Sequence, residues 1–486
     1  MVTTIAVLRE AVHHASTQSR EDSLSARTPG FILALFPVGC STIKAMSERE
    51  GKLARRVASE LRGAGFVVYY VGGCVRDRLL GVETSDIDLC TDAPPARLRE
   101  LFPGSAEVGA HFGVVLVRGE EAEVEVATFR SEHSYRDGRH PDAVAFETDP
   151  KKDVLRRDFT INALLQDPFS DEVVDYTGGK SDLEAGLIRA IGDPRQRFRE
   201  DHLRLLRAVR FAARFSFEIE AETFSAMREM ASTIERIAPE RVQGELTRIL
   251  TEGGARRGFE LLDASGLLPH VLPEVARLKG VPQPPDFHPE GDVWTHTMLV
   301  LDSLGPCTPA LGWAALLHDI AKPETIQFAD RIRFHGHAEK GADEARRILT
   351  RLRCSNELSE AVASLVGAHM RFQDVPNMGE AAFRRFLRLP HLEELLQLHC
   401  ADCLGARKGS ETLELIARRR ATLTESDIHP APLLRGHDLI ELGYRPGPAM
   451  GEMLSALEEE QLEGRLRSRE AATIWLGERF PRAPRP

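Results

Sequence analysis

A pair of glycines and a pair of aspartates carry the first chemical signal in this chain. Gly72 and Gly73 follow an apolar run, Gly65 to Tyr70, that reads as a buried strand. Lacking Cβ atoms, they let the backbone turn tightly and come close to a ligand. A helix starting at about Cys74 faces the same space with its free N–H groups, and Arg76 lies one turn in, where it can hold a negative charge. A plain strand-to-helix turn accounts for the glycines alone. Asp86-Ile87-Asp88 changes that reading, because residues i and i+2 of a strand point to one face and both carboxylates then project together. Like charges held that close repel, and a divalent cation relieves them. The chemistry indicated is a phosphate beside a metal ion.

A second concentration lies in the C-terminal half. His296 stands in VWTHTM, His318-Asp319 in ALLHDIAKP, His335 and His337 in RFHGHAEKGA, His369 in VGAHM and Asp402 in CADCLGA. One helical histidine is more often a satisfied core residue than a ligand. Leaving His335 as a surface or supporting residue, the other imidazoles and carboxylates make a mixed N/O set that suits a divalent transition metal. Between the two regions, Arg195 to Arg214 holds seven arginines against Glu200 and Asp201, a local excess of five positive charges in one expected helical region. A solvated charged helix is the plain reading of such a run.

The elements that must position these residues are legible in outline. HFGVVLVRG and EVEVATFR read as adjacent strands, and in the second Glu123 and Glu125 share the face opposite Val124 and Val126. A short helix follows Pro94-Pro95, and the polar stretch between Arg130 and Lys151 reads as a mobile loop. Leu203, Leu206, Val209 and Ala213 recur at helical spacing, while Asp201, Arg204 and Arg207 turn gradually around a neighbouring face. At 486 residues the chain is too long for one core. It has no apolar run long enough to span a bilayer, and its seven scattered cysteines point to reduced thiols in a cytoplasm, with Cys400 and Cys403 buried in a helix. A net charge of −11 argues against wholesale coating of nucleic acid. Residues 1–45 read as a disordered extension or a misassigned start.

Taken together, GGCVRD and DID resemble the nucleotidyltransferase head of the class II tRNA nucleotidyltransferase and poly(A) polymerase family, the CCA-adding enzymes. The resemblance extends to LRRDFTINAL, which is similar to the family's RRDFxxNA motif, and to Glu200-Asp201-x-x-Arg204-x-x-Arg207, similar to its EDxxRxxR motif. It implies Asp86, Asp88 and Glu125 as the catalytic carboxylates binding Mg²⁺, and Gly72, Gly73, Arg76 and Arg157 as nucleotide-holding residues. It implies further that Asp158 and Asn162 shape the ribose pocket, that Asp201 and Arg204 read the base, and that Arg207 and Arg210 reach the triphosphate. The chemistry fits, since cytosine and adenine each present an amino donor beside a ring-nitrogen acceptor, matching a carboxylate and a guanidinium. The implied partners are the tRNA 3' end, ATP and CTP. PERVQGEL, Pro239 to Leu246, resembles a helix-bracing segment of the family.

The histidine series resembles the HD phosphohydrolase superfamily, with His296, His318, Asp319 and Asp402 matching its metal quartet and His337 and His369 the ligands of two-metal versions. The expected fold class is α+β. A small mixed-sheet head at 46–180 is followed by an all-α neck at 181–275, an all-α HD domain at 276–430 and a helical tail at 431–486, a plausible tRNA-binding body. Enzymes adding only CC, only A or a poly(A) tail share these motifs. A phosphohydrolase whose head merely binds nucleotide or RNA is the rival of another class, and oligomeric state is open.

Overall fold

The computed structural model describes residues 40–82, 86–107, 113–135, 141–285, 288–407, 409 and 411–481. Most of the expected N-terminal extension, residues 1–39, lies outside them. The rest of that segment is helical. Helix α1 (Cys40–Gly63) begins inside it, because no proline or glycine interrupts the chain from Ser41 to Glu50 and a helix once nucleated propagates. Ala54, Val57, Ala58 and Leu61 recur at three and four residues on α1 and are buried against the sheet.

That sheet runs β3-β4-β5-β2-β1-β8-β9 in space. Its strands are β1 (Val68–Val71), β2 (Leu89–Thr91), β3 (Ala106–Glu107), β4 (Val114–Arg118), β5 (Glu123–Thr128), β8 (Leu165–Gln166) and β9 (Val173–Val174), with β6 and β7 set apart below. All neighbours are antiparallel except β2 and β5, which are parallel with Leu89 opposite Val126. Helix α2 (Gly73–Leu79) leaves β1 through the two glycines, and α3 (Pro95–Leu101) follows β2.

The stretch expected as a mobile loop is instead a second, two-stranded ladder, β6 (Arg130–Tyr135) with β7 (Pro141–Phe146), Arg130 lying opposite Phe146. Its polar residues masked it, but a ladder needs only backbone donors and acceptors in register. Phe129 anchors it to the main sheet, donating its N–H to Thr91 O and accepting from Glu147 N–H. Helix α4 (Pro150–Leu155) then leads into LRRDFTINAL.

The expected single helical region of the neck is two helices, α5 (Pro194–Glu200) and α6 (Arg204–Phe215). The break comes from Asp201, whose backbone is extended (φ −145°, ψ 107°) and whose carboxylate takes the N–H of Leu203 in place of a helical carbonyl. Helices α7 (Ala221–Met230), α8 (Pro239–Thr251) and α9 (Ala255–Ala264) complete this layer. A short parallel ladder, Leu187–Ile188 with Glu218–Ile219, accompanies them.

Beyond the non-helical stretch around Gln283-Pro284-Pro285 come α10 (Val293–Ser303), α11 (Pro309–Leu317), α12 (His337–Arg351), α13 (Asn356–Ala368) and α14 (Leu392–Gly405). Cys400 and Cys403 are buried on α14, and they, like Cys74, Cys90, Cys307 and Cys354, are free thiols. The main buried apolar cluster spans Leu53 to Ile428, with a smaller one around Val71, Cys90 and Phe129 in the head, whereas Leu434 to Leu476, with α15 (Pro448–Leu462) and α16 (Arg469–Arg479), form a separate small core. Among the described residues no helix is long and apolar enough to cross a membrane.

Candidate active site

Gly72 sits at φ 75°, ψ −130°, a conformation closed to residues with a Cβ, and this sends the chain directly from β1 into α2. Two guanidiniums line the turn. Arg157 Nη1 and Arg76 Nη2 each lie 3.5 Å from where a Cβ on Gly72 or Gly73 would stand. Arg76 is buried, donates to Asp77 Oδ1 at 2.7 Å and to Asn162 Oδ1, and lies over the rings of Phe211 and Phe215. Its position is therefore set from both the head and the neck.

The acidic pair lies immediately before the β2 ladder, held in line by Val71 N–H donating to Asp88 O. Ile87 points into the core and the flanking aspartates point away from it. The parallel register of Leu89 with Val126 sets Asp88 beside Glu125 on the same face. Burial and the charge of Glu125 push the Asp88 carboxyl up to about 6, with Asp86 adding to the rise and Arg157 opposing it. Three carboxylates thus crowd one corner. Glu123, on the same face, pairs with Arg118 at the surface. Glu50 on α1 also comes near, and burial together with the charge of Asp86 raises its carboxyl above the ordinary value.

In LRRDFTINAL the paired arginines are clamped by Asp153 of α4, Arg156 at 2.7 Å and Arg157 at 2.9 Å. Asp158 is buried, accepting from Phe159 N–H at 2.8 Å and Asn162 Nδ2 at 3.1 Å, and holding Arg207 through Nε and Nη2 at 2.8 and 2.6 Å. Burial alone would raise its carboxyl, yet Arg207 and the Asn162 amide hold it well below the usual carboxylate range. From the neck, Asp201 pairs with Arg241 at 2.9 Å, Arg204 with Glu200 at 2.8 Å, and Arg210 with Glu245 at 2.6 Å.

These residues share one cavity of about 630 Å³. Its walls include Gly72, Gly73, Arg76, Asp86, Asp88, Arg157, Asp158 and Asn162 from the head and Asp201, Arg204, Arg207 and Arg210 from the neck. Glu125 stands behind Asp88 and is not on the wall. The wall also carries Asp77, Arg156, Arg214, Arg241, Arg248 and Glu252, which motif spacing did not single out. Arg214 extends the arginine series by one helical turn, and Arg241 belongs to PERVQGEL, which supplies Arg241 and Glu245 to the neck's ion pairs besides building α8.

Residues 68–189 match the family model for the poly A polymerase head domain, residues 216–279 that for the RNA- and SrmB-binding region assigned to polymerase A, and residues 337–474 that for tRNA nucleotidyltransferase domain 2. The CCA-adding enzyme of Limosilactobacillus fermentum is 31% identical over 413 residues, covering 85% of this chain and 93% of its own length. That of Lactococcus lactis subsp. cremoris is 33% identical, covering 87% and 94%. The chain belongs to the class II CCA-adding enzyme and poly(A) polymerase family. In structure it is similar to the Bacillus stearothermophilus CCA-adding enzyme in complex with CTP, with TM-score 0.68 and 27% identity over 89% of this chain and 97% of that one.

This family member carries a second cavity, of about 720 Å³, whose walls include His318, Asp319, His337, His369 and Asp402 together with Lys322, Arg331 and Arg333. His296 lies fully buried behind it, with Nε2 3.0 Å from Asp402 Oδ1 and 3.3 Å from His318 Nε2. His337 and His369 face each other at 3.2 Å between Nε2 atoms, and Asp319 lies within 3.2 to 3.9 Å of all four imidazoles. His296, His318 and Asp319 form one group able to hold a metal ion, and Asp319, His337 and His369 form another that shares Asp319.

The second ring nitrogens decide how they fit a metal. His318 Nδ1 faces Ala315 O, His337 Nδ1 faces Phe334 O and His369 Nδ1 faces Val366 O, at 2.9, 2.7 and 2.6 Å, while His296 Nδ1 faces Glu290 Oε1 at 2.8 Å. For His318, His337 and His369 an acceptor on that side places the hydrogen on Nδ1 and leaves Nε2 as a lone pair aimed inward, whereas His296, despite burial, is raised to about 9 by Asp402 on one nitrogen and Glu290 on the other. Two such lone pairs 3.2 Å apart repel unless a cation lies between them, so the donor set fits a divalent ion. Glu290 and its second partner His288 carry no local motif, and only the outer side of His296 reveals them.

Proposed function

We propose that this chain extends the 3' end of tRNA with cytidylate and adenylate, taken from CTP and ATP without a nucleic-acid template, and releases pyrophosphate. The observation that carries this reading is the shared cavity, whose walls include Asp86 and Asp88 together with Asp201 and Arg204. The crowding that raises Asp88 fits a divalent cation, and Asp86, Asp88 and Glu125 are the residues that would hold Mg²⁺. When bound, the ion favours the ionised terminal hydroxyl and shields the triphosphate.

The chain's own groups do the holding. Gly72 and Gly73 let phosphate oxygens approach the backbone, while Arg76 and Arg157, anchored by Asp77, Asn162 and Asp153, hold the nucleotide. Asp158 and Asn162 close the ribose side, with Arg207 and Arg210 turned to the triphosphate. Asp201 accepts from the amino group of cytosine or adenine, and Arg204 donates to the ring nitrogen. Uracil and guanine present a carbonyl beside an N–H, so each side chain meets the wrong polarity, at a cost of about 1–3 kcal/mol per unsatisfied group.

The test uses tRNA lacking CCA, ending in C or ending in CC, with each labelled nucleotide in turn. Wild type is expected to incorporate C, C and A and to reject U and G. Addition of only CC, only A or a long A tail would assign a narrower member of the family. Asp86→Ala with Asp88→Ala is expected to abolish incorporation while circular dichroism and melting stay near wild type. Full incorporation by that variant would overturn the carboxylate assignment. We infer the cytoplasm as the compartment, where unfinished tRNA and nucleoside triphosphates meet.

A second reading concerns the histidine cavity, where the inward-facing Nε2 atoms support an HD-type phosphohydrolase holding a divalent transition metal. Arg331, Arg333 and Lys322 on the same wall suit an anionic phosphate ester as its substrate.

A further inference from the structure

Arg241 is the third residue of α8 and stands opposite the break that presents Asp201. Its Nη1 lies 3.3 Å from Asp201 Oδ1 and its Nη2 2.9 Å from Oδ2, a two-pronged contact with one carboxylate. The N–H of Leu203 donates to Oδ1 as well, at 3.0 Å. A carboxylate offers about four acceptor positions. Both on Oδ1 and one on Oδ2 are thus taken, which leaves a single acceptor, on Oδ2. The planar guanidinium fork fixes the plane of the carboxylate and hence the direction of that last lone pair. Without it, Leu203 N–H is a tie at one oxygen only, and the carboxylate can swing about its terminal torsion.

Arg204 is arranged in the same manner. Its Nη1 donates to Glu200 Oε2 and Arg197 O at 2.8 and 2.9 Å, and its Nη2 to Arg156 O at 3.0 Å. Of its five N–H groups three are committed, so two remain to meet a base. Asp201, Arg204 and Arg241 line the same cavity.

We propose that Arg241 is a specificity-determining positioning residue, which selects the incoming base by aiming the one remaining acceptor of Asp201 at its amino group. This rests on the base-reading role of Asp201 proposed above. A rigid acceptor rewards an amino donor at one place and repels a carbonyl there, whereas a swinging one does neither well. Loss of Arg241 therefore costs discrimination and not merely rate.

The experiment measures kcat/KM for CTP, ATP and UTP on tRNA lacking CCA, for wild type and for Arg241→Ala, Arg241→Lys, Asp201→Ala and the Arg241→Ala/Asp201→Ala double variant, with melting curves for each. Arg241→Ala is expected to lower the CTP-to-UTP ratio by about tenfold or more. Arg241→Lys is expected to restore part of it, since the charge stays and the fork is lost. In the Asp201→Ala background, removing Arg241 is expected to change the ratio no further. The proposal is overturned if Asp201→Ala collapses the ratio while Arg241→Ala leaves it intact, or if the two effects simply multiply. Should Asp201→Ala itself leave the ratio unchanged, the base-reading role fails and this inference fails with it. If Arg241→Ala melts below the assay temperature, Arg241→Lys supplies the decisive comparison: a wild-type ratio overturns the fork, and a lowered one supports it.

Discussion

Asp88 is placed where burial and its neighbours work against its charge, and its carboxyl is pushed up from 3.8 to about 6. Between those values the native chain binds a proton that the unfolded chain releases, so stability rises as pH falls through the window and is lowest above pH 6. A shift of that size is worth about 3 kcal/mol at most, and roughly 1–2 kcal/mol once partial exposure is allowed for. In metal-free protein, Asp88→Asn is therefore expected to raise the melting temperature by a few degrees at pH 7.5, with the gain gone below about pH 4. Added Mg²⁺ is expected to stabilise wild type and not the variant. A variant that melts no higher than wild type in EDTA at pH 7.5 would show that the crowding is not there.

At this scale the linear sequence was a good guide to the residues facing the cavity and a poor one to what holds them. Asp86 and Asp88 sit in a short spacing that puts their side chains on one face, while the family resemblance marks Arg76, Asp201 and Arg204 and tells Glu125 from Glu123, which strand alternation leaves equal. Asp153, Glu245, Glu252 and Arg241 act through ion pairs, several of them spanning tens of residues. Asp77 and Arg214 are 137 apart. Pairing over such distances leaves no periodic trace.

Among the elements, the turn that ends the head shows how close two segments must come. Gly178 has φ 79°, and Asp175 accepts the N–H groups of Thr177, Gly178, Gly179 and Lys180 in one ring. A Cβ on Gly179 would stand 2.1 Å from Thr160 O, in the single turn Thr160–Asn162 that carries Asn162. Gly179→Ala must push that turn away. It is expected to destabilise the protein by about 2 kcal/mol or more and to raise KM for CTP, as urea unfolding and steady-state kinetics would record. An unchanged unfolding midpoint would mean the turn yields freely. Reading elements from sequence worked where apolar spacing ruled, as on β4 and β5. It failed at β6–β7, whose side chains lack an apolar period, and at Asp201, where one carboxylate competing for a backbone N–H splits a helix that spacing alone continues.

Over the whole molecule, the main core cluster, which runs from Leu53 to Ile428, ties both cavities to one body, yet no residue lines both. Their chemistries should separate by mutation. His318→Ala with Asp319→Ala is expected to abolish phosphate release from phosphomonoester substrates and metal uptake by that cavity, while CMP incorporation stays within about twofold of wild type. The carboxylate-pair variant is expected to do the reverse. Loss of incorporation in the histidine variant, with an intact melting curve, would mean the two cavities are coupled.

The arginines of the nucleotide cavity already have company. Arg76, Arg157, Arg207, Arg210 and Arg214 each rest on a carboxylate of the chain itself. On the nucleotide-holding role proposed for them, an arriving triphosphate must share those cations with their resident acids, and a departing pyrophosphate leaves behind no stranded positive charge. Grip is thereby traded for turnover, which suits a catalyst that has to let go three times on every transcript it finishes.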